Sequence, residues 1–142
     1  MKIGIANAAE VDAVWPSIAK EMQRGCDKTG GGMSAGDLWQ MCRSGNAFLV
    51  LIFTDEGIVC ASVWRFENWP SGTVFRCLGL MGRSMKVWVK GLYDFAMKQA
   101  EIGGTDRLIA EGRPGWVRVL SRYLSQPVKP LWQTFEVRHA GK

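Results

Sequence analysis

Residues 73–85 read TVFRCLGLMGRSM, and this stretch decides the fold. Thr73 to Leu80 is a strand-like run of mostly apolar side chains. Gly82, Arg83 and Ser84 break it, and a long helix follows from Met85 to about Ile102. That helix carries an apolar face through Trp88, Leu92, Phe95, Ala96 and Gln99, and the pair Gly103-Gly104 supplies a glycine C-cap. Arg107 to Ala110 then reads as a short buried strand. A strand returned to the sheet through a helix lies parallel to the strand it left.

Upstream, Ala47–Phe53 and Ile58–Phe66 are two further strands. They are joined by the hairpin loop Thr54-Asp55-Glu56-Gly57, with a glycine available for positive φ. A longer turn, Asn68-Trp69-Pro70-Ser71-Gly72, leads into Thr73 and completes an antiparallel meander. Before it stand a strand at Lys2–Ala6 and a helix opened by Asn7 and Glu10 at capping-box spacing. The buried face of this helix runs through Val11, Val14, Trp15, Ile18 and Met22, with Pro16 in its early turns. Thr29-Gly30-Gly31-Gly32 is a flexible break, and it lacks the Lys-Ser/Thr ending of a phosphate-binding P-loop. Ser34 and Asp37 open a second helix that carries Leu38, Trp39 and Cys42. Downstream, Pro114 suits the first turn of a last helix reaching about Leu124, and Thr134–Val137 reads as a final strand.

The order β-α-α-β-β-β-α-β-α-β predicts an α/β (α+β) fold. It is a mixed, twisted sheet of about six strands flanked by about four helices on both faces. The length of 142 residues fits one domain, and a chain of this size buries roughly 70% of its unfolded surface, so it needs neither disulfides nor a metal to fold.

The formal charge of +5 is spread without a dense basic stripe, which argues against a nucleic-acid domain. Cys26, Cys42, Cys60 and Cys77 form no CxxC pair and have no histidine nearby, so zinc-ligand spacing is absent. No stretch has the length of a signal peptide or a membrane span, and a reducing cytoplasm with free thiols is the expected setting. No serine stands in a hydrolase triad pattern, and the lone His139 lies near the end of the sequence. Trp15, Trp64 and Trp88 fall on apolar faces and read as core. Trp69 and Trp132 stand near prolines and read as surface anchors for protein contacts. Glu67 and Asp55 read as turn residues.

This order of elements resembles the GNAT superfamily of N-acetyltransferases over nearly the whole chain. The resemblance implies an acetyl-CoA site between the fourth strand and the helix after it. There, family members carry a Gln/Arg-x-x-Gly-x-Gly/Ala loop whose N–H groups hold the pyrophosphate. The general physics is that a helix N-terminus offers unpaired donors to an anion. Here Leu78 and Leu80 would align the acetyl group, and Gly82, Arg83, Ser84 and Met85 would hold phosphate, although the second glycine of the loop is absent. Glu111, closing the strand Arg107–Ala110, is the candidate general base, and a salt bridge to Arg113 or Arg107 is its alternative reading. Active members place an Asn at the start of the next helix and an acidic Tyr two turns later. In this sequence Arg113 and Leu120 take those positions, and Tyr123, one turn on, is the remaining candidate acid.

The resemblance is closest to short GNAT-like proteins of tailed phages and prophages, which implies two functions. One is acetyl-CoA-dependent transfer to the amine of a small molecule or a protein. The other is a catalytically silent phage structural protein, in the virion, its internal core or the head–tail junction, acting through contacts with other phage structural proteins.

Overall fold

The computed structural model describes residues 1–29, 32–112, 115–131 and 136–138. Strand β1 (Lys2–Ile5) leads to helix α1 (Ala8–Lys28) through a capping box. The Asn7 side chain accepts from the Glu10 N–H at 2.9 Å, and the Glu10 carboxylate accepts from the Asn7 N–H at 3.0 Å. Helix α2 (Ala35–Arg43) opens the same way on Ser34 and Asp37. Both boxes satisfy donors that the first turn of a helix leaves without partners.

Strands β2 (Phe48–Thr54), β3 (Gly57–Trp69) and β4 (Gly72–Gly82) form the meander. The first turn is tight, with Thr54 paired to Gly57 and Gly57 at φ +101°. The second is tighter than its sequence predicts. The ladder runs to Trp69↔Gly72, leaving only Pro70 and Ser71 between the strands. An Asn68–Thr73 side-chain hydrogen bond of 3.1 Å holds the last rungs, and proline needs no ladder partner for its nitrogen. Helix α3 (Met85–Ile102) crosses to β5 (Leu108–Ala110), which pairs parallel with β4, and α4 (Gly115–Tyr123) follows. Gly104, at φ +90°, provides the left-handed residue that closes α3.

Among the described residues the sheet has five strands in the order β1-β2-β3-β4-β5 rather than about six. Of the expected last strand, Thr134 and Phe135 lie outside the described residues, and Glu136 and Val137 carry no strand. Val137 is 94% exposed, so the apolar side chain whose burial would anchor a strand there is in solvent.

Alternation along the strands sorts the core onto two faces. Leu49, Leu51, Ala61, Val63 and Met81 meet α1 and α2, whose buried stripe is Val11, Trp15, Ile18, Met22, Cys26, Leu38 and Cys42. Val50, Ile52, Cys60, Trp64 and Phe75 meet Trp88, Val89, Leu92, Ala96 and Ala100 of α3. The α3 stripe ends on Ala100 rather than Gln99, because i, i+4 steps from Trp88 fall on Leu92, Ala96 and Ala100. No helix among the described residues is long and apolar enough to cross a membrane.

Candidate functional site

The site begins with one extra residue in β4. Val63 and Trp64, adjacent in β3, pair with Gly79 and Cys77, so Leu78 has no partner and forms a β-bulge. The bulge turns two neighbours to the same side of the sheet. Leu78 packs into the α1/α2 core, and a Cβ on Gly79 would stand 2.5 Å from Leu38 Cδ1 and 3.1 Å from Met22 Sδ on that same side. At this point β4 also loses β5, since the last parallel pair is Cys77↔Ala110.

Past the bulge, β4 holds only β3. The Arg83 N–H donates to the Val59 carbonyl at 2.9 Å, which fixes the parity of the antiparallel ladder. Arg83, Met81 and Gly79 direct their backbone groups at β3, whereas Leu80 and Gly82 direct theirs into the gap beyond the end of β5. Helix α1 closes in on that gap. A Cβ on Gly25 would lie 2.9 Å from the Leu80 carbonyl oxygen, so only glycine permits this approach.

At the end of β4, Ser84 has φ 56° and ψ 61° and is the N-cap of α3. Among the described non-glycine residues it alone has positive φ, and its side chain makes no capping hydrogen bond. A left-handed residue followed by a right-handed helical one gathers successive N–H groups into a concave nest suited to anions. Here those are the N–H groups of Ser84, Met85 and Lys86, which have no acceptor among the described residues, while Val87 N–H already bonds the Ser84 carbonyl at 2.8 Å.

On the α1/α2 face, beyond the bulge in the other direction, a ladder of charges spans three strands. Glu67 accepts from Arg65 Nε at 2.7 Å, from Arg76 Nη1 at 3.2 Å and from the Trp69 indole at 2.9 Å. Arg76 Nη2 in turn donates to Glu111 Oε1, just past β5. Burial alone would raise the Glu67 carboxyl, but the hydrogen bonds from Trp69 and Arg65 and the charges of Arg76 and Arg65 outweigh it, and its pKa is lowered. A carboxylate with a depressed folded-state pKa stabilises the fold above its unfolded pKa, and that contribution is lost as pH falls through the folded value. The melting temperature should therefore drop on acidification through and below the ordinary carboxylate range, and Glu67→Gln should flatten this acid limb. Identical acid limbs in the two proteins would show that Glu67 has no such role.

No family model matches the sequence, and no curated protein sequence matches it. Solved structures do match. Ribosomal-protein-alanine N-acetyltransferase from Brucella melitensis biovar Abortus 2308 has a TM-score of 0.68 at 14% identity, covering 98% of this chain and 100% of that one. A probable acetyltransferase has a TM-score of 0.70 at 12% identity, covering 100% of both chains. A predicted acetyltransferase from Clostridium acetobutylicum, solved with acetyl-CoA, has a TM-score of 0.65 at 12% identity, covering 94% and 95%. The fold is the GNAT acetyltransferase fold. The likeness bears out the fold that the sequence-based resemblance implied, and the virion expectation gains no support from it.

Within this GNAT fold the expected site residues separate into two groups. Leu80, Gly82, Ser84 and Met85 converge on the gap and the nest, with Leu78 at the bulge that opens it. Arg83 contributes no backbone donor, because Val59 takes its N–H; its side chain is 70% exposed and stands 3.9 Å from Glu21. Gly82 is explained by packing, since a Cβ there would lie 2.7 Å from the Trp88 ring, whose indole donates to the Arg83 carbonyl at 2.8 Å.

Glu111 is ion-paired, but with Arg76 rather than with Arg107. Arg107 starts four residues earlier, about 13 Å back along an extended chain, and is engaged by Ser71 and the Trp69 ring. Trp69 is accordingly half-buried in the ladder and not a bare surface anchor. Tyr123 ends α4, about 12 Å along the helix from Gly115 and away from the β5 junction. Arg113, Trp132 and His139 lie outside the described residues.

Arg65 and Arg76 are the residues that sequence reasoning missed, and Glu67, read there as a turn residue, lies inside β3. The signal was the period-2 run Arg65-x-Glu67-x-Trp69, which places three polar-tipped side chains on one face of a strand.

Proposed function

We propose that this chain is an acetyl-CoA-dependent N-acetyltransferase. The observation that carries the reading is the anion nest at Ser84–Lys86, placed at the end of a strand that a bulge has freed from its neighbour. Pyrophosphate suits the nest: three N–H groups and the positive end of α3 face it. Acetyl-CoA supplies the acetyl group as an activated thioester. The N–H groups of Leu80 and Gly82, directed into the gap, donate to the thioester carbonyl and to the oxyanion that develops on it.

Glu111 takes the proton of the acceptor amine as the nitrogen bonds to the acetyl carbon and the carbon–sulfur bond breaks. Arg76 engages Glu111 Oε1 and leaves Oε2 for that task. The thiolate leaves without a protein acid, and Tyr123 takes no part. The Cys77 thiol stands at the last β4–β5 rung, and burial pushes its pKa up to about 12. It stays protonated, and transfer runs directly from the thioester to the amine of a small molecule or a protein.

Thermal-shift titration tests the reading. Acetyl-CoA at 100 times its dissociation constant stabilises by about 2.7 kcal/mol, a shift of several degrees for a domain of this size. S-acetylpantetheine, which keeps the thioester but lacks the pyrophosphate, should shift the melt far less. No saturable shift up to millimolar acetyl-CoA would overturn the proposal.

A further inference from the structure

Resting on the transferase reading, we propose that the acceptor is an amine that also carries a carboxylate a few bonds away, docked on the open edge of Arg65. Arg65 and Arg76 are direct register partners on β3 and β4, so two guanidinium groups start side by side on one face of the sheet. Like charges placed this way repel unless an anion lies between them. Glu67 meets that need only in part. It binds Arg65 through Nε alone, and the two terminal Nη groups of Arg65 have no acceptor among the described residues.

The Arg65 side chain is 32% exposed, so it is not closed off by the core. The guanidinium of Arg107 lies over the Trp69 ring beside the ladder. Three guanidiniums, of Arg65, Arg76 and Arg107, thus stand with two carboxylates, of Glu67 and Glu111, and the local excess is positive. A planar guanidinium edge matches a carboxylate with two parallel hydrogen bonds.

The position fits an acceptor. Arg76 precedes the bulge residue Leu78 by two positions, about 7 Å of extended chain. A carboxylate on Arg65 therefore leaves an amine a few bonds away near Glu111 and the mouth of the gap. Free amino acids present such a carboxylate at the α-carbon, and acidic peptides present one on a side chain near the N-terminus.

The test uses the acetylated products, so it reads docking without requiring turnover. A panel of N-acetyl-L-amino acids, the matching C-terminal amides, and N-acetylated acidic amino acids amidated only at the α-carboxylate is titrated at millimolar concentration by thermal shift. Carboxylates are expected to bind at least about tenfold tighter than the neutral amides, the size of a charge-assisted hydrogen-bonded pair. The side-chain carboxylates separate the peptide source from the free amino acid. Arg65→Gln should erase the discrimination, and Arg65→Lys, which keeps a charge beside Glu67 without the fork, should weaken it. A merely structural arginine would change melting temperature without changing the acid-to-amide ratio.

Equal binding of acids and amides, or no binding of either, by wild-type protein that responds to acetyl-CoA would overturn this inference and leave the transferase standing. Absence of any acetyl-CoA response would remove both.

Discussion

Phe75→Ala is expected to remove about 3–5 kcal/mol of stability and to lower the melting temperature by roughly 10–15 °C. Phe75 is 1% exposed and stands at the centre of an aromatic cluster. Its ring centroid lies 5.1 Å from Trp64 in a stacked arrangement, 4.5 Å from Phe66 and 6.3 Å from Phe48. Truncation would remove the transfer free energy of the ring and leave a cavity that three other aromatic side chains, Phe48 held in β2 and Trp64 and Phe66 in β3, cannot collapse to fill. The loss would reach the site as well. Phe75 pairs with Leu108, and its N–H donates to the Arg107 carbonyl at 2.9 Å, so it anchors the first rung of the β4–β5 ladder. Phe75→Leu, which keeps most of the apolar volume, should melt between the two. A Phe75→Ala protein melting within about 3 °C of wild type would mean that Phe75 contributes less than even the ordinary burial of its ring.

The elements that sequence reasoning placed well are those set by local chemistry. Both capping boxes, the glycine at the β2–β3 turn, and α3 from Met85 to Ile102 depend on residues within four positions of each other. Their partners are visible in the one-dimensional pattern. The features that open the site depend on something else. The bulge at Leu78 arises from the register of β3 against β4, and no residue type announces it. Gly79, which would be expected to weaken a strand, is there because Leu38 and Met22 of two different helices occupy the space of its side chain.

Ser84 shows the same limit from the other side. Serine favours N-caps because its hydroxyl can bond a backbone N–H. The hydroxyl makes no such bond, and the backbone is instead left-handed. Glu111 was legible as the residue closing β5, but its partner was not. Arg76 lies 35 positions away and meets it only because β4 and β5 pair in parallel with Arg76 beside Ile109.

The left-handed Ser84 yields the sharpest functional expectation. A non-glycine residue in this conformation costs about 1–2 kcal/mol, and such strain tends to persist where the backbone shape is used. Ser84→Gly should keep the nest, bind acetyl-CoA as wild type does, and melt no lower. Ser84→Ala should behave almost as wild type, since the hydroxyl caps nothing. Ser84→Val should behave differently, because a β-branched side chain at positive φ is a severe outlier. The chain must then either hold the strain or turn the peptide so that the three N–H groups no longer converge. Loss of the nest should weaken acetyl-CoA binding at least about tenfold, equivalent to about 1.4 kcal/mol, as read by thermal shift or calorimetry. Binding of acetyl-CoA by Ser84→Val at wild-type affinity would show that the pyrophosphate is held elsewhere. A glycine variant that binds like wild type beside a valine variant that does not would tie the affinity to the backbone conformation at this one residue, independently of its side-chain chemistry.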